Sequence, residues 1–171
     1  GLLSFGFSPL SVMLQEDQIS LDFLTSLDVV DKNNIGCIGH SMGGIRCMYL
    51  SAADDRIKTT VISGSVANLR PNIDSDILQT WFILAPGLSR YTETSGILAL
   101  ITPRPLAIIY SQNDPIFPLI EAQEQVRITK LFLKAQRVYG AETYVRGFSG
   151  YAVELLIIYY KSFLKMLKKL S

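Results

Sequence analysis

The 171-residue sequence predicts an α/β domain, a three-layer α/β/α sandwich built on a mostly parallel sheet. Three observations predict it. Segments with helical periodicity alternate with short apolar segments from Leu10 to Ser63, and that order builds parallel sheets. The apolar segments do not alternate with polar residues, which is how strands covered on both faces read. One of them, Ile35 to Ile38, runs directly into a glycine-rich turn and then into a helical pattern.

Taken in order, Gly1 to Pro9 has no clear period. Leu10 to Leu27 reads as a helix, with Val12, Ile19, Phe23 and Leu27 sharing a face while Glu16, Asp17 and Asp22 are polar. Asp31 to Asn34 is a turn. Ile35 to Gly39 reads as a strand buried on both sides, and Met42 to Ala53 as a helix. Asp54 to Arg56 turns the chain into a strand from Ile57 to Ser63. Residues 66–100 are the least regular part and hold Pro71, Trp81, Pro86 and Tyr91. They read as a helical insertion over the sheet edge, either covering a site or simply packing as a connection. Pro105 to Tyr110 is a further strand, followed by the turn residues Ser111 to Pro115. Leu119 to Gln136 reads as a helix with Ile120, Val126, Leu131 and Leu133 as its apolar positions, stopped near Gly140. Thr143 to Phe148 reads as a short strand. Ala152 to Leu170 reads as a last helix, apolar at Leu156, Tyr160, Phe163 and Leu167, with Lys161, Lys165, Lys168 and Lys169 opposite.

Composition narrows the function classes. Apolar residues make up 49% and charged residues 18%, which supports one packed domain, read as residues 1–171, rather than a disordered chain. A net charge of +1 implies no general attraction to nucleic acid or to an anionic membrane. No apolar run reaches the roughly 18 residues that span a bilayer. The two cysteines, Cys37 and Cys47, read as small core residues without a disulfide framework, which points to a reducing, cytoplasmic compartment. One histidine and two cysteines make no metal site, and the Gly39 to Gly44 stretch lacks the lysine of a phosphate loop. No metal or cofactor is expected.

The chemistry-bearing stretch is Gly39-His40-Ser41-Met42-Gly43, which fits G-x-S-x-G. A serine pushed out between a strand and a helix must sit on a very tight turn. Glycines at Gly39 and Gly43 are expected because side chains there would collide with neighbouring backbone. The Ser41 hydroxyl would stand at a helix N-terminus, where free N–H groups favour a developing oxyanion. The bare pattern arises often by chance, and its strand and helix flanks are what make it specific. Asp114 lies in a loop just after a strand, within Asn-Asp-Pro. That sequence also forms turns with no chemistry at all.

Together these segments resemble the α/β-hydrolase superfamily, in its dienelactone hydrolase and acetyl xylan esterase-like branch. The resemblance is carried by DKNNIGCIGHSMGG (31–44), DDRIKTTVISG (54–64), WFILAPGLSRY (81–91) and PRPLAIIYSQNDPIFP (103–118), and runs from about Gln15 to about Phe148. It implies a serine hydrolase of the carboxylesterase type acting on small esters. Ser41 falls on the nucleophile, the amide of Met42 on one oxyanion donor, and Asp114 on the acid that orients a histidine.

Two departures follow from the same resemblance. The family ends its triad with a histidine after a final short strand, and here Phe148-Ser149-Gly150-Tyr151-Ala152 puts Tyr151 at the expected place. The only histidine in the sequence is His40, expected to point away from the Ser41 hydroxyl as a packing or hydrogen-bonding residue. A tyrosine near its ordinary pKa of about 10 is a poor base at neutral pH. The strands that the family places before the Ser41 strand are also absent. The expectation is a partial α/β-hydrolase fold, the C-terminal part of a hydrolase, with an exposed sheet edge that invites self-association. Two readings follow: an impaired esterase, or a non-catalytic hydrolase-like module that binds a ligand or partner.

Overall fold

A computed structural model describes residues 7–69, 85, 87–114 and 116–135. Its elements are α1 (Pro9–Ser26), β1 (Ile35–His40), α2 (Met42–Ala53), β2 (Ile57–Ser63), a 3-10 turn (Leu88–Arg90), α3 (Thr94–Ile101), β3 (Leu106–Ile109) and α4 (Leu119–Ala135). Three parallel strands form an open sheet in the order β1-β2-β3. This is the expected α/β architecture, with α2 and β2 at the bounds read from the sequence. The strand expected at 143–148 and the helix expected at 152–170 lie outside the described residues, as does Trp81.

The start of α1 is written locally. Ser8 is its N-cap and accepts a hydrogen bond from the Ser11 amide, the Ser11 side chain answers to the Ser8 amide, and Pro9 opens the helix. Its buried face is not the expected one. Leu10 and Leu21 are buried, while Ile19 is 59% and Phe23 67% exposed. The inward stripe is Leu10, Leu14, Asp17 and Leu21, and Asp17 breaks its apolar period because it pairs with Arg46 of α2. The Arg46 Nε–H donates to Asp17 Oδ2 at 2.9 Å, the second arm of a two-pronged pair.

β1 is likewise corrected. Its burial alternates, and Ile38 is 64% exposed, where burial on both sides is expected from the sequence. The cause is position. β1 is an edge of the described sheet, and the described helices cover only one face. On that face Met48, Ile62, Leu98, Ile101, Ile108 and Ala122 form the main cluster, joining α2, α3 and α4 to β2 and β3. Ile62, Leu98 and Ile101 are fully enclosed, each contributing roughly 1.5–3 kcal/mol by burial. Thr60 donates to Ser51 at 2.7 Å inside this interface, so neither buried hydroxyl is orphaned.

In α4 the expected apolar positions Ile120 and Leu131 are 80% and 50% exposed. The helix packs instead through Ala122, Gln125 and Thr129, with Val126 half-buried. Gln125 is buried because its Oε1 accepts the Ser95 amide at 2.9 Å at the start of α3, and its Nε2 donates to Asn68.

At the end of the sheet where β2 begins, one side chain ties the layers. The Arg104 guanidinium donates to the carbonyls of Ser51, Asp54, Ile57, Leu100 and Ile101. It thereby satisfies the free carbonyls that end α2 and α3. A cleft of about 490 Å³ lies there, lined by Asp54, Asp55, Arg56 and Arg104 among others. It is at the far end of α2 from Ser41.

Candidate functional site

The site is built where β1 ends and α2 begins. Ser41 is the N-cap of α2 with φ 52° and ψ −122°, and it has the sole positive φ of any non-glycine described residue. A side chain held in that region costs about 1–3 kcal/mol, so its neighbours must impose it. They do so through the backbone. The Ser41 amide donates to the Ser63 carbonyl at 2.8 Å, and its own carbonyl accepts from the Ile45 amide at 3.1 Å. The Ser65 hydroxyl stands 2.7 Å from the carbonyls of both Ser41 and Ser63. Ser41 is exposed, and its hydroxyl makes no capping hydrogen bond, so it is free for another partner.

The glycines divide in a way the motif does not foretell. A Cβ on Gly39 would lie 2.2 Å from the Gly43 carbonyl oxygen. No side chain fits there. A Cβ on Gly43 would meet nothing within 4 Å, so the collision expected at that position does not occur. The second confined glycine is Gly44, where a Cβ would lie 2.1 Å from Ser65 Oγ. The reason is helix geometry: Gly43 faces outward on the first turn of α2, and Gly44 faces the end of β2. The sequence signal for this was the doubled glycine together with a serine just past β2.

Met42 opens α2 and is 45% exposed. Its amide belongs to the first turn, whose N–H groups have no partner within the helix. Such a donor, next to the Ser41 hydroxyl, can receive negative charge on an oxygen.

Asp114 lies just beyond β3, half-buried. Its Oδ1 accepts from the amides of Ile116 at 2.9 Å and Phe117 at 3.0 Å, so one oxygen shapes the turn. Its Oδ2 points toward Gly64, 3.7 Å from where a Cβ would stand. The His40 ring flanks the same glycine, with Cε1 at 3.1 Å and Nδ1 at 3.5 Å from that point. Gly64 has φ 56° and leaves the gap in which His40 and Asp114 approach each other over the end of β2. His40 Nδ1 lies 3.1 Å from Ser63 Oγ, which makes it a hydrogen-bonding residue as expected. Gly64, Ser63 and Ser65 were not singled out by sequence reasoning. Tyr151 falls outside the described residues.

Behind the turn, Ile45, Tyr49, Ser65, Ala67 and Phe117 enclose a void of only about 10 Å³. Burial pushes the Tyr49 phenol up to about 12, and its hydroxyl has no hydrogen-bond partner. Cys37 and Cys47 are free thiols facing each other between β1 and α2. The Cys47 hydrogen bond and burial push Cys37 well above the ordinary thiol range, which keeps it neutral. Among the described residues, no cluster of three His, Cys, Asp or Glu could hold a metal, and no helix is long and apolar enough to cross a membrane.

Known proteins match the chain in two parts. Residues 18–130 match the family described as BAAT / Acyl-CoA thioester hydrolase C terminal. Residues 124–171 match the tRNA nucleotidyltransferase second domain. Among solved structures, the glucuronoyl esterase of Solibacter usitatus superposes with a TM-score of 0.61 at 18% identity, over 75% of this chain and 36% of that one. The glucuronoyl esterase catalytic domain of Hypocrea jecorina gives 0.62 at 19% identity, over 75% and 42%. Among curated relatives, the CCA-adding enzyme of Saccharolobus solfataricus is 57% identical over 49 residues, 29% of this chain. The chain spans only 12% of that enzyme's length. The esterase likenesses establish the fold, a partial α/β-hydrolase fold with its sheet open at β1. Because the hydrolase match covers about two-thirds of the sequence, the chain belongs to the BAAT / acyl-CoA thioester hydrolase C-terminal family.

Proposed function

We propose that residues 18–130 carry the serine half of a carboxylic ester hydrolase site, for small acyl esters or thioesters. The observation that carries this reading is Ser41 itself, held at a positive φ between strand and helix with its hydroxyl free. In the reaction, Ser41 Oγ attacks the acyl carbon and passes its proton to a base. The Met42 amide receives the charge that develops on the carbonyl oxygen, and the departing alcohol or thiol takes the proton back from the base. Asp114 Oδ2 is the carboxylate that would orient that base. The base itself is missing at its family position. Loss of the base in such a triad lowers the rate by roughly three to six powers of ten. This chain is therefore an impaired esterase unless a histidine is supplied from outside it.

The test is labelling of the folded chain by a fluorophosphonate probe beside Ser41→Ala, with circular dichroism to establish folding. Labelling that depends on Ser41 supports an activated nucleophile. Because the missing base slows acylation, the probe is used in excess over long exposure, and equal labelling of both folded proteins under those conditions rejects it.

A second reading is an interaction module that keeps the hydrolase fold as a scaffold. The match of residues 124–171 to the tRNA nucleotidyltransferase second domain favours it and makes tRNA the ligand to try. Binding of a fluorescent tRNA transcript by the purified chain supports this reading, and its absence at low salt rejects it.

A further inference from the structure

We infer that Ser63 and His40 form a second nucleophile–base pair, apart from Ser41, which takes acyl groups from esters with good leaving groups. The inference goes beyond the reading of Ser41 above, and each has its own test.

The pair follows from the register of the sheet. His40 ends β1 and Ser63 ends β2. The two stand opposite each other in parallel strands, so their side chains leave the sheet on one face. His40 Nδ1 lies 3.1 Å from Ser63 Oγ, within the range at which a base takes a proton. In the tautomer protonated on Nε2 the Ser63 hydroxyl donates to Nδ1, and that neutral ring is a base. The single histidine of the sequence is thus engaged by Ser63. Ser63 is half-buried and His40 is exposed, so the hydroxyl is held while the ring stays open to solvent. Across the gap at Gly64, Asp114 Oδ2 and His40 Cε1 lie 3.7 and 3.1 Å from the place a Cβ would take. A carboxylate therefore faces the charge that the ring gains with the proton.

The backbone beside the pair sets the substrate class. The amides that follow His40 and Ser63 in the chain are those of Ser41 and Gly64. The Ser41 amide donates to the Ser63 carbonyl at 2.8 Å, and the Gly64 amide to the Ile109 carbonyl at 2.8 Å. Both are spent within the sheet and give no oxyanion donor at Ser63 Oγ. One such donor is worth roughly 10²–10³-fold in rate. Aryl esters and thioesters, whose departing groups carry charge well, are the substrates that react without it. As Ser63 Oγ bonds to the acyl carbon, its proton passes to His40 Nδ1. The bond to the aryloxide or thiolate breaks, that group leaves with the proton, and the acyl group stays on Ser63. Water then attacks the acyl carbon, its proton passes through Nδ1 to Ser63 Oγ, and the carboxylic acid departs.

The experiment uses the full chain carrying Ser41→Ala, so that Ser63 reacts without the other serine. A fluorophosphonate probe is applied in excess over long exposure, and peptide mass spectrometry places the adduct. After trypsin, residue 41 lies in peptide 33–46 and Ser63 in the peptide that starts at Thr59. The expected adduct is on Ser63, and it forms roughly 10²–10⁴-fold more slowly when His40→Asn is added. That variant keeps an amide near the position of Nδ1, able to hold the Ser63 hydroxyl but not to take its proton. A role in packing alone leaves the rate unchanged. Circular dichroism establishes folding. Where His40→Asn does not fold, His40→Ala replaces it, and where Ser41→Ala does not fold, the same mapping on the parent decides. Ser63-dependent release of p-nitrophenolate from p-nitrophenyl acetate is expected, with ethyl acetate left intact. No adduct on Ser63 in the folded protein overturns the inference and leaves the Ser41 reading to its own labelling test. An adduct formed at the same rate without His40 overturns it as well. Ser63-dependent hydrolysis of ethyl acetate at the rate of the aryl ester overturns the substrate class.

Discussion

Gly39 and Gly43 occupy equivalent places in the serine motif, yet the structure gives their replacement opposite signs. A Cβ on Gly39 would stand 2.2 Å from the Gly43 carbonyl oxygen, 2.3 Å from its carbon and 2.7 Å from the Gly44 nitrogen. All three are backbone atoms of the turn, so no side chain can rotate away. Contact at ordinary distance requires β1 and α2 to part by about 1 Å. Overpacking of this kind costs roughly 1–3 kcal/mol, and a clash with backbone belongs at the upper end. At Gly43 a Cβ meets nothing within 4 Å and the backbone is helical, so alanine is accepted without strain. Restricting the unfolded chain there stabilises by about 0.4–1 kcal/mol. Urea denaturation reads both. With a slope near 2 kcal/mol per molar, Gly39→Ala lowers the midpoint by about 1.5 M and Gly43→Ala raises it by about 0.3 M. A Gly43→Ala midpoint falling by 0.5 M or more (roughly 1 kcal/mol at that slope), or a Gly39→Ala midpoint left unchanged, would refute this geometry of the turn.

Other outcomes follow from single contacts. Arg104→Ala strands the carbonyls of Ser51, Asp54, Ile57, Leu100 and Ile101 and should cost about 2–4 kcal/mol in urea melts, with Arg104→Lys recovering less than half. The Tyr49 phenol holds its proton more tightly folded than unfolded, so its contribution is complete below pH 10 and is lost as pH rises toward 12. The parent should lose about 2–3 kcal/mol more than Tyr49→Phe over that interval, and identical pH–stability curves would contradict the burial of this hydroxyl. Arg46 and Asp17 should couple by about 1 kcal/mol in a double-mutant cycle, weakening with salt, and a coupling near zero would show the pair adds nothing across α1 and α2.

Strands and turns were more legible in the sequence than helix faces. The bounds of α2 and β2 follow from short apolar runs between strong turn signals, Asp31 to Asn34 and Asp54 to Arg56. The faces of α1 and α4 did not follow, because each buries a polar residue that is satisfied from a distant element. Asp17 meets Arg46, and Gln125 meets Ser95 and Asn68. Apolar periodicity has no means of seeing a partner 29 or more positions away. In the site, the tight turn and Ser41 were legible because strand, glycine and serine are contiguous. Gly64 was not, since its constraint comes from His40 and Asp114 on two other elements.

The Arg104 knot has a consequence for how the layers are held. It fastens the starts of the strands and the ends of α2 and α3 with one residue, at the end of the sheet remote from Ser41. One residue thereby closes off the carbonyls of several elements at that pole. The opposite pole, which bears Ser41 and Asp114, is held by other means, the packing of Phe117 after β3 against Leu10 and Ile45.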